Sequence, residues 1–287
     1  MWLVCFFSCI SSLHAEPLRV RVVLSEEGGA YREFSDALRE ELKTYPVILN
    51  VGEAVETADD SDLTIAVGMS ATSALAMSTK PVLSVLVPKA GYDKLAKPVA
   101  AIHSSAIYID QPIERQISLL VAAMPKVKRI GVLYSAFHPE LTSLRRTLAE
   151  RNILLFEEAV GQEHPLHDAL EEVLGESEVL LVLPDTEIYN AGTIRNILLS
   201  SYRKQVPLIG ISKSYVKAGA LCAIYSTPKQ IVIQTVEAVK QYISTGKLPS
   251  SQYPKDFEVS VNMQVARSLD LPVKDADKLR DEVRKAP

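Results

Sequence analysis

Residues 129–156 read RIGVLYSAFHPELTSLRRTLAERNILLF, and this stretch decides the fold class. Apolar runs at residues 129–134 and 153–156 have the length and composition of buried strands. Between them, residues 140–150 place apolar side chains at helical spacing. A strand, a helix and a second strand in this order predict a βαβ unit, because parallel strands need a long crossover that a helix usually supplies.

The same alternation continues on both sides of this stretch. On the carboxyl-terminal side, strands are predicted at residues 179–183, 208–211 and 220–225, with helices at residues 166–174 and 193–203. On the amino-terminal side, strands are predicted at residues 19–24, 47–51, 62–67, 81–87 and 106–109, with a helix at residues 31–43 and a short helix from Ser70. Two such series predict an α/β protein with two Rossmann-like lobes, each built on a parallel sheet.

A helix start stands between the two series of strands. Asp110 or Gln111 is expected to cap this helix, and Pro112 suits its first turn. Apolar residues at helical spacing continue to Met124. Pro125 is expected to end the helix, because proline cannot continue the backbone hydrogen-bond ladder.

A second helix start follows the last strand of the second series. The segment Thr227-Pro228-Lys229-Gln230 has the pattern of a capping box, with Thr227 as the cap and proline at the first helical position. The helix is expected to end at Gly246. A final strand is predicted at residues 257–261, and the charged tail from Lys274 is expected to be a solvated helix or a frayed end.

The composition is that of a folded protein. The chain has 287 residues, 47% of them hydrophobic and 23% charged, with a net charge of −4. This argues against disorder and leaves room for two domains. Because no basic block is present, nucleic acid is excluded as an expected partner. No apolar run reaches the roughly 20 residues that a membrane helix needs.

The first fifteen residues contain no charged residue and begin with an apolar run, as in a secretory signal cleaved after Ala15. The alternative is a buried amino-terminal strand. Cys9 is not expected to be a lipid anchor, because the residues before it match a lipobox poorly. Removal of this segment would leave Cys222 as the remaining cysteine, in an apolar strand where a small core residue is expected. The sequence therefore predicts an exported, periplasmic protein.

Motifs for cofactors and metals are missing from the sequence. It contains no Walker-type loop, no G-x-G-x-x-G and no H-E-x-x-H. His164 and His167 are spaced for one helix face, but no carboxylate or third ligand is evident near them. They are interpreted as a solvated helix start rather than a metal site. We therefore expect no cofactor and no metal.

Residues 68–72, Gly-Met-Ser-Ala-Thr, follow a strand and begin a helix. The arrangement resembles a nucleophile elbow with Ser70 as nucleophile, but Thr72 stands where the elbow has its second glycine. A triad would also need an acid and a later histidine, so a serine hydrolase is the weaker alternative. The favoured interpretation is that Ser70, Ala71 and Thr72 at the helix start bind an anionic or polar ligand group.

Polar side chains follow most predicted strands at their carboxyl ends, where open parallel sheets bind ligands. They are Ser25 and Glu26 in the first series, and Ser135, Asp185, Thr186, Ser212 and Tyr225 in the second. For any one of them a loop cap is the simpler explanation, whereas the whole set indicates a binding edge. Asp185 is expected to meet a cationic or amino group. The sequence thus favours a two-lobed, non-catalytic protein that closes over a small molecule.

Several short stretches together resemble a known family. They are IDQP with ERQ (109–112 and 114–116), KRIGVLY (128–134), LPD (183–185), PLIG (207–210), YVKAGAL (215–221), GKLP (246–249), VN (261–262) and VAR (265–267). In their order and spacing they resemble the ABC-transporter substrate-binding proteins, which have the periplasmic-binding-protein type I fold. The resemblance covers nearly all of the chain after residue 15.

The resemblance implies two lobes joined by a three-crossover hinge, with residues 17–108 and 226–253 in lobe one and residues 109–225 and 254–287 in lobe two. It implies a monomer that delivers a ligand from the cleft to an ABC permease in the inner membrane. The ligand positions that it implies are Ser25, Gly68, Ser70, Ala71, Ser135, Asp185, Ser212 and Tyr225. The alternative is a ligand-binding sensor module that acts on a membrane receptor.

Some relatives bind amino acids, including aromatic ones, but this sequence departs from them in two places. Gln230 and Ile231 stand where several relatives have a glycine, and the loop at residues 25–29 is unusually acidic. The sequence therefore predicts a small polar ligand, such as an amino acid, without naming it.

Overall fold

Parallel strands separated by helices form two sheets in the computed structural model. The structure describes residues 16–52, 60–95, 104–135 and 140–286. The predicted signal segment, residues 1–15, lies outside the described residues. The architecture confirms the predicted fold class, an α/β protein with two parallel-sheet lobes.

Among the described residues, the first sheet has five strands: β1 (Leu18–Leu24), β2 (Val47–Gly52), β3 (Leu63–Val67), β4 (Val82–Val87) and β5 (Ser104–Tyr108). Their order is β2-β1-β3-β4-β5, and every pairing is parallel. Helices α1 (Gly29–Leu42), α2 (Met69–Ala74) and α3 (Lys89–Leu95) follow β1, β3 and β4. Strands β3 and β4 are buried along their whole length, as expected for parallel strands covered on both faces.

In the part of the chain that the structure describes, the second sheet has six strands: β6 (Arg129–Tyr134), β7 (Leu154–Ala159), β8 (Val179–Leu181), β9 (Leu208–Gly210), β10 (Cys222–Tyr225) and β11 (Glu258–Val261). Their order is β11-β10-β9-β8-β6-β7, and of these described strands only β10 and β11 pair antiparallel. The remaining helices among the described residues are α4 (Ile113–Ala123), α5 (Glu140–Ala149), α6 (Leu166–Glu176), α7 (Ile194–Arg203), α8 (Lys213–Ala218), α9 (Pro228–Thr245), α10 (Met263–Ser268) and α11 (Ala276–Lys285).

Over the described residues, the chain passes between the two sheets three times. The first passage runs from β5 through α4 to β6, and the second leads from β10 to α9. Helix α9 belongs with the first sheet, because its Val232 and Val239 share one apolar core with Phe34 and Leu38 of α1. The third passage returns from α9 to β11. The exact lobe bounds expected from the sequence stay a prediction.

Apolar layers cover both faces of the second sheet. One layer contains side chains of α4, α5 and α11, and the other contains side chains of α6 and α7. Cys222 lies in the first layer and is fully buried, which confirms the core position predicted for it. Burial raises the pKa of the Cys222 thiol to about 12, so the thiol stays protonated at neutral pH.

The charged tail is more than a solvated helix. Helix α11 packs against α4, and its Leu279 and Val283 are buried in the core of the second lobe. The helix alternative expected for the tail from Lys274 is confirmed, but the tail is not frayed and one side of the helix is buried rather than solvated. The physical reason is amphipathicity, since two apolar residues four positions apart form a narrow stripe among many charges.

The predicted cap of α4 was also wrong. Asp110 does not cap this helix, because its Oδ2 accepts a hydrogen bond from the backbone N–H of Lys89 in the first lobe. Pro112 itself occupies the cap position and α4 begins at Ile113. Gln111 instead joins the first passage to the second, because its Nε2 donates to Ser226 Oγ at 2.8 Å.

The start of α9 is as predicted. Thr227 accepts a hydrogen bond from the Gln230 backbone N–H, and the Gln230 side chain accepts one from the Thr227 N–H at 2.8 Å, which completes the capping box. Gly246 ends the helix with a left-handed backbone, φ +69°, as expected for a glycine at that position. No helix among the described residues has both the length and the apolar character needed to cross a bilayer.

Replacing Thr227 with alanine is expected to lower the free energy of unfolding by about 1 kcal/mol, because the first turn of α9 loses its side-chain acceptor. Thr227→Ser keeps the hydroxyl and is the matched control. Urea unfolding followed by circular dichroism measures both variants. Equal stability of Thr227→Ala and the native chain would contradict the role given to the capping box.

Candidate functional site

The end of β1 and the start of α2 meet at one polar point of the first lobe. Ser25 Oγ accepts a hydrogen bond from the backbone N–H of Ala71 at 3.0 Å. Gly68 precedes α2 with φ +86°, and a Cβ atom there would lie 2.7 Å from both Ser25 Oγ and the Tyr31 ring. A side chain at position 68 is therefore excluded by both backbone conformation and space. Ser25, Gly68 and Ala71 were predicted site residues, and the structure brings them together.

The hydroxyl groups around this point have different roles. Ser70 is exposed on the first turn of α2, and the cap residue of the helix is Gly68. Thr72 is buried, and its Oγ1 donates back to the Gly68 carbonyl at 2.9 Å. The Thr72 hydroxyl is thus committed to its own helix. Glu26 is exposed in the loop after Ser25.

Ser135 and Asp185 form the corresponding point of the second lobe. Asp185 Oδ2 accepts hydrogen bonds from the backbone N–H and from the hydroxyl of Ser135, both at 2.8 Å. Asp185 Oδ1 accepts from the Glu187 N–H at 3.0 Å. These residues follow β6 and β8, which are neighbours in the sheet, so parallel pairing carries them to one edge. Thr186, the next residue, is exposed.

Asp185 is a carboxylate held in place without a positive partner. It is half-buried, and no Lys, Arg or His among the described residues pairs with it. Three donors fix its orientation and occupy three of its four lone-pair sites, so Oδ1 can still accept one further hydrogen bond. Such a group can bind an ammonium, because a charge-assisted hydrogen bond is stronger than one between neutral groups.

The two remaining predicted residues lie farther along the same sheet. Ser212 is half-buried directly before α8, and its side chain makes no capping hydrogen bond. Tyr225 ends β10, and its hydroxyl is 2.8 Å from Ser260 Oγ on β11. The Tyr225 hydroxyl is therefore engaged with the antiparallel edge strand.

A second group of polar residues, at the passages between the lobes, was missed by sequence reasoning. Lys89, Asp110 and Glu140 line a narrow gap together with Leu183 and Pro184, which directly precede Asp185 in the chain. No local pattern links these positions, because they come from α3, the first passage, α5 and the loop after β8. Only the tertiary fold brings them together.

Tyr253 ties this gap to the third passage. Its hydroxyl donates to Glu140 Oε1 at 2.6 Å, and its ring packs edge to face on Tyr108 with centroids 5.4 Å apart. Burial and the Glu140 carboxylate raise the pKa of the Tyr253 phenol above its usual range. The hydrogen bond therefore joins the passage segment to the first turn of α5.

The Asp110 carboxyl has a shifted pKa. Burial, with a smaller contribution from the Glu140 carboxylate, raises the pKa of Asp110 to about 6, against a usual value of 3.8. The hydrogen bond from the Lys89 N–H opposes the shift. The gap between the lobes thus contains an acid that is partly protonated near neutral pH.

Comparison with known proteins gives one family match. A family model described as ABC transporter substrate binding protein matches residues 55–280. A protein named tyrosine-binding protein, from Clostridioides difficile strain R20291, is 22% identical over 236 residues, which cover 78% of this chain and 67% of that protein.

Two solved structures share the fold over nearly the whole chain. An ABC domain in complex with L-Trp, from Streptococcus pneumonia, has a TM-score of 0.66 and 17% identity, and the match covers 92% of this chain and 98% of that one. A ligand-free, open substrate-binding protein with adhesive properties, from Clostridium difficile, has a TM-score of 0.67 and 16% identity, with 90% and 96% covered. These two matches show the two-lobed fold.

Asp110→Asn is expected to change how stability depends on pH. Because the folded-state pKa of Asp110 is raised above 3.8, folding favours the protonated acid, and the native chain loses stability as pH rises through about 6. The neutral amide removes this loss. From pH 5 to pH 7.5, the free energy of unfolding of the variant should rise by on the order of 1 kcal/mol relative to that of the native chain.

Urea unfolding at the two pH values measures the effect. Asp168→Asn, at an exposed acid on α6, is the control and should show no such gain. A pH dependence that is identical in Asp110→Asn and the native chain would contradict the raised pKa.

Proposed function

The chain belongs to the ABC transporter substrate-binding protein family, and we propose that it binds a free α-amino acid, in particular an aromatic one, between its two lobes. The observation that carries the proposal is the Asp185 carboxylate, which Ser135 orients and which no described cation neutralises. The ammonium of an amino acid supplies the missing charge. Burial between closing lobes would strengthen that pairing, since water competes less there.

The first lobe is proposed to receive the carboxylate end of the ligand. In the first turn of α2 the N–H of Ala71 is already bound to Ser25, whereas no acceptor for the N–H of Met69 or Ser70 is found among the described residues. The exposed Ser70 hydroxyl adds a third donor. We propose Gly68, Glu26, Thr186, Ser212 and Tyr225 as further ligand-binding positions. The buried Thr72 instead supports the turn through its hydrogen bond to the Gly68 carbonyl.

Two features support an aromatic side chain on the ligand. The relative named tyrosine-binding protein and the solved complex with L-Trp both name aromatic amino acids. In this chain the Tyr31 ring lies against Gly68, next to Ser25, where a second ring could stack on it. Burial raises the pKa of the Tyr31 phenol, so this ring carries a neutral hydroxyl.

The departure at Gln230 does not speak against this ligand. The Gln230 amide accepts from the Thr227 N–H and donates to Asp256 and Glu258, at 3.0 and 3.1 Å. Its side chain is therefore occupied in holding the start of α9 to β11. We propose that Gln230 has this structural role and that the ligand lies elsewhere.

Substrate-binding proteins of ABC transporters act outside the cytoplasm and deliver ligands to membrane permeases. For this chain we propose export by the segment 1–15, a periplasmic location, and delivery by a monomer to an inner-membrane ABC permease. Hinge closure around the ligand would create the surface that the permease recognises.

Members of this family are solute-binding proteins rather than enzymes. We propose that the present chain likewise has no catalytic activity and that Ser70 is not a nucleophile. Ser70 lies within the first turn of α2 rather than in a strained turn before it, and no hydrogen bond joins it to a histidine among the described residues. Of the histidines that follow Ser70 in the chain, His103 and His138 lie outside the described residues.

Isothermal titration calorimetry with L-tyrosine and L-tryptophan tests the proposal. Asp185→Asn should weaken binding about tenfold or more, because a charge-assisted hydrogen bond contributes about 1.5–3 kcal/mol. N-acetyl-L-tyrosine, which lacks the cationic amine, should bind the native chain no better than L-tyrosine binds the variant. Asp168→Asn is the matched control and should bind like the native chain.

Two results would contradict this function. One is unchanged affinity of Asp185→Asn for an amino acid that binds the native chain. The other is the absence of any melting-temperature shift when the well-folded chain is screened against amino acids, since a ligand of the native state must raise it by mass action.

A further inference from the structure

Three side chains with metal-binding atoms converge on one side of the second lobe, away from the residues discussed so far. They are Glu158 of β7, His164 of the loop that follows, and Glu172 of α6. One nitrogen or oxygen of each lies within 4.8 Å of those of the other two. The sequence interpretation found no carboxylate near His164, so the structure corrects it.

Strand alternation explains why Glu158 faces α6. The neighbouring Glu157 pairs with Arg145 of α5 at 2.8 Å, on one face of the sheet. Successive side chains of a strand point to opposite faces, so Glu158 points to the other face with Phe156. Phe156 packs in the apolar layer of α6, which confirms the direction.

The loop between β7 and α6 brings His164 to the same place. The Gly161 N–H donates to the His164 carbonyl at 2.9 Å, and this bond closes a turn directly before α6. Glu172 lies on the second turn of α6, and its side chain is 61% exposed, so it can change rotamer without disturbing the core. Two of the three groups are thus fixed by the fold and the third can adjust.

The His164 imidazole supplies an independent sign of a missing partner. Its Nε2 is inaccessible to solvent and has no hydrogen-bond partner among the described residues. The Glu172 Oε2 atom is 4.0 Å away, which is too far for a hydrogen bond. Buried polar atoms are normally paired, because leaving one unpaired costs about 1–3 kcal/mol.

We infer that Glu158, His164 and Glu172 bind one Zn²⁺ ion, with water as the fourth ligand. Zn²⁺ binds both imidazole nitrogen and carboxylate oxygen, and two carboxylates balance the charge of the ion. The imidazole favours Zn²⁺ over Mg²⁺ and Ca²⁺, which prefer sites made only of oxygen atoms. Rotation of the Glu172 side chain closes the ligand set.

The ion would join the edge strand β7 to α6 and stabilise the second lobe. Its ligands are separate from Asp185, Ser135 and the α2 region, so zinc binding does not depend on the ligand proposed for the cleft. The two proposals can therefore fail independently of each other.

Zinc titration of the tag-free, chelator-treated chain tests the inference by calorimetry and by thermal unfolding. We expect one Zn²⁺ per chain and a melting temperature that rises with zinc concentration. His164→Ala and Glu172→Gln should each weaken zinc binding about tenfold or more, since even loss of a residue that supports a metal ligand costs 10–100-fold.

His167→Ala is the matched control, because His167 is exposed, lies three residues from His164 and is outside the cluster. It should bind zinc like the native chain, and Mg²⁺ should not raise the melting temperature. Circular dichroism verifies that the variants fold, and the exposed Glu172 makes its variant safe in this respect. The inference is overturned if the native chain binds no zinc, or if His164→Ala and Glu172→Gln bind it as tightly as His167→Ala.

Discussion

Parallel strand pairing is the constraint on which the described structure depends. A parallel pair cannot be closed by a tight turn, so each strand is followed by a crossover that is usually helical. The same pairing puts the carboxyl ends of all these strands at one edge of each sheet. Ser25 and Gly68 therefore meet in the first lobe, and Ser135 and Asp185 meet in the second. Among the described strands only β11 runs antiparallel, and the chain reaches it from the other lobe.

Charged side chains lie in the gap where the passages join the two lobes. Asp110 reaches back to the Lys89 N–H, and Tyr253 donates to Glu140 across the narrow gap. These contacts join the first passage to the first lobe and the third passage to α5. A hinge motion that separates these partners must break the hydrogen bonds. The protonation state of Asp110 and the strength of the two bonds therefore affect how easily the lobes move.

The sequence predicts those features that local chemistry determines. Alternating strands and helices gave the fold class, and the capping box at Thr227 and the glycine at 246 gave both ends of α9. Short helices such as α3 and α8 were missed, because one or two turns hold too few residues to show a period. The apolar stripe of α11 was hidden among charges, so the tail was taken for a solvated one.

Contacts between distant segments could not be predicted in this way. Asp110 or Gln111 was expected to cap α4, whereas the partner of the Asp110 carboxyl is a backbone N–H at the start of α3 in the first lobe. The carboxylates near His164 are Glu158 of β7 and Glu172 in the second turn of α6. Their spacing from His164 along the chain does not predict that they lie close to it. The polar residues at the strand ends were predicted as a set, because parallel pairing brings the carboxyl ends of strands to one edge. Which of them bond to each other is seen only in the structure.

Closure of two lobes over an amino acid is the central claim, and small-angle X-ray scattering tests it most directly. Scattering is recorded from the purified chain with and without the amino acid that calorimetry shows to bind. We expect a smaller radius of gyration in the saturated chain and no change in Asp185→Asn at the same ligand concentration. A radius of gyration that stays the same while calorimetry shows the native chain saturated would contradict the account.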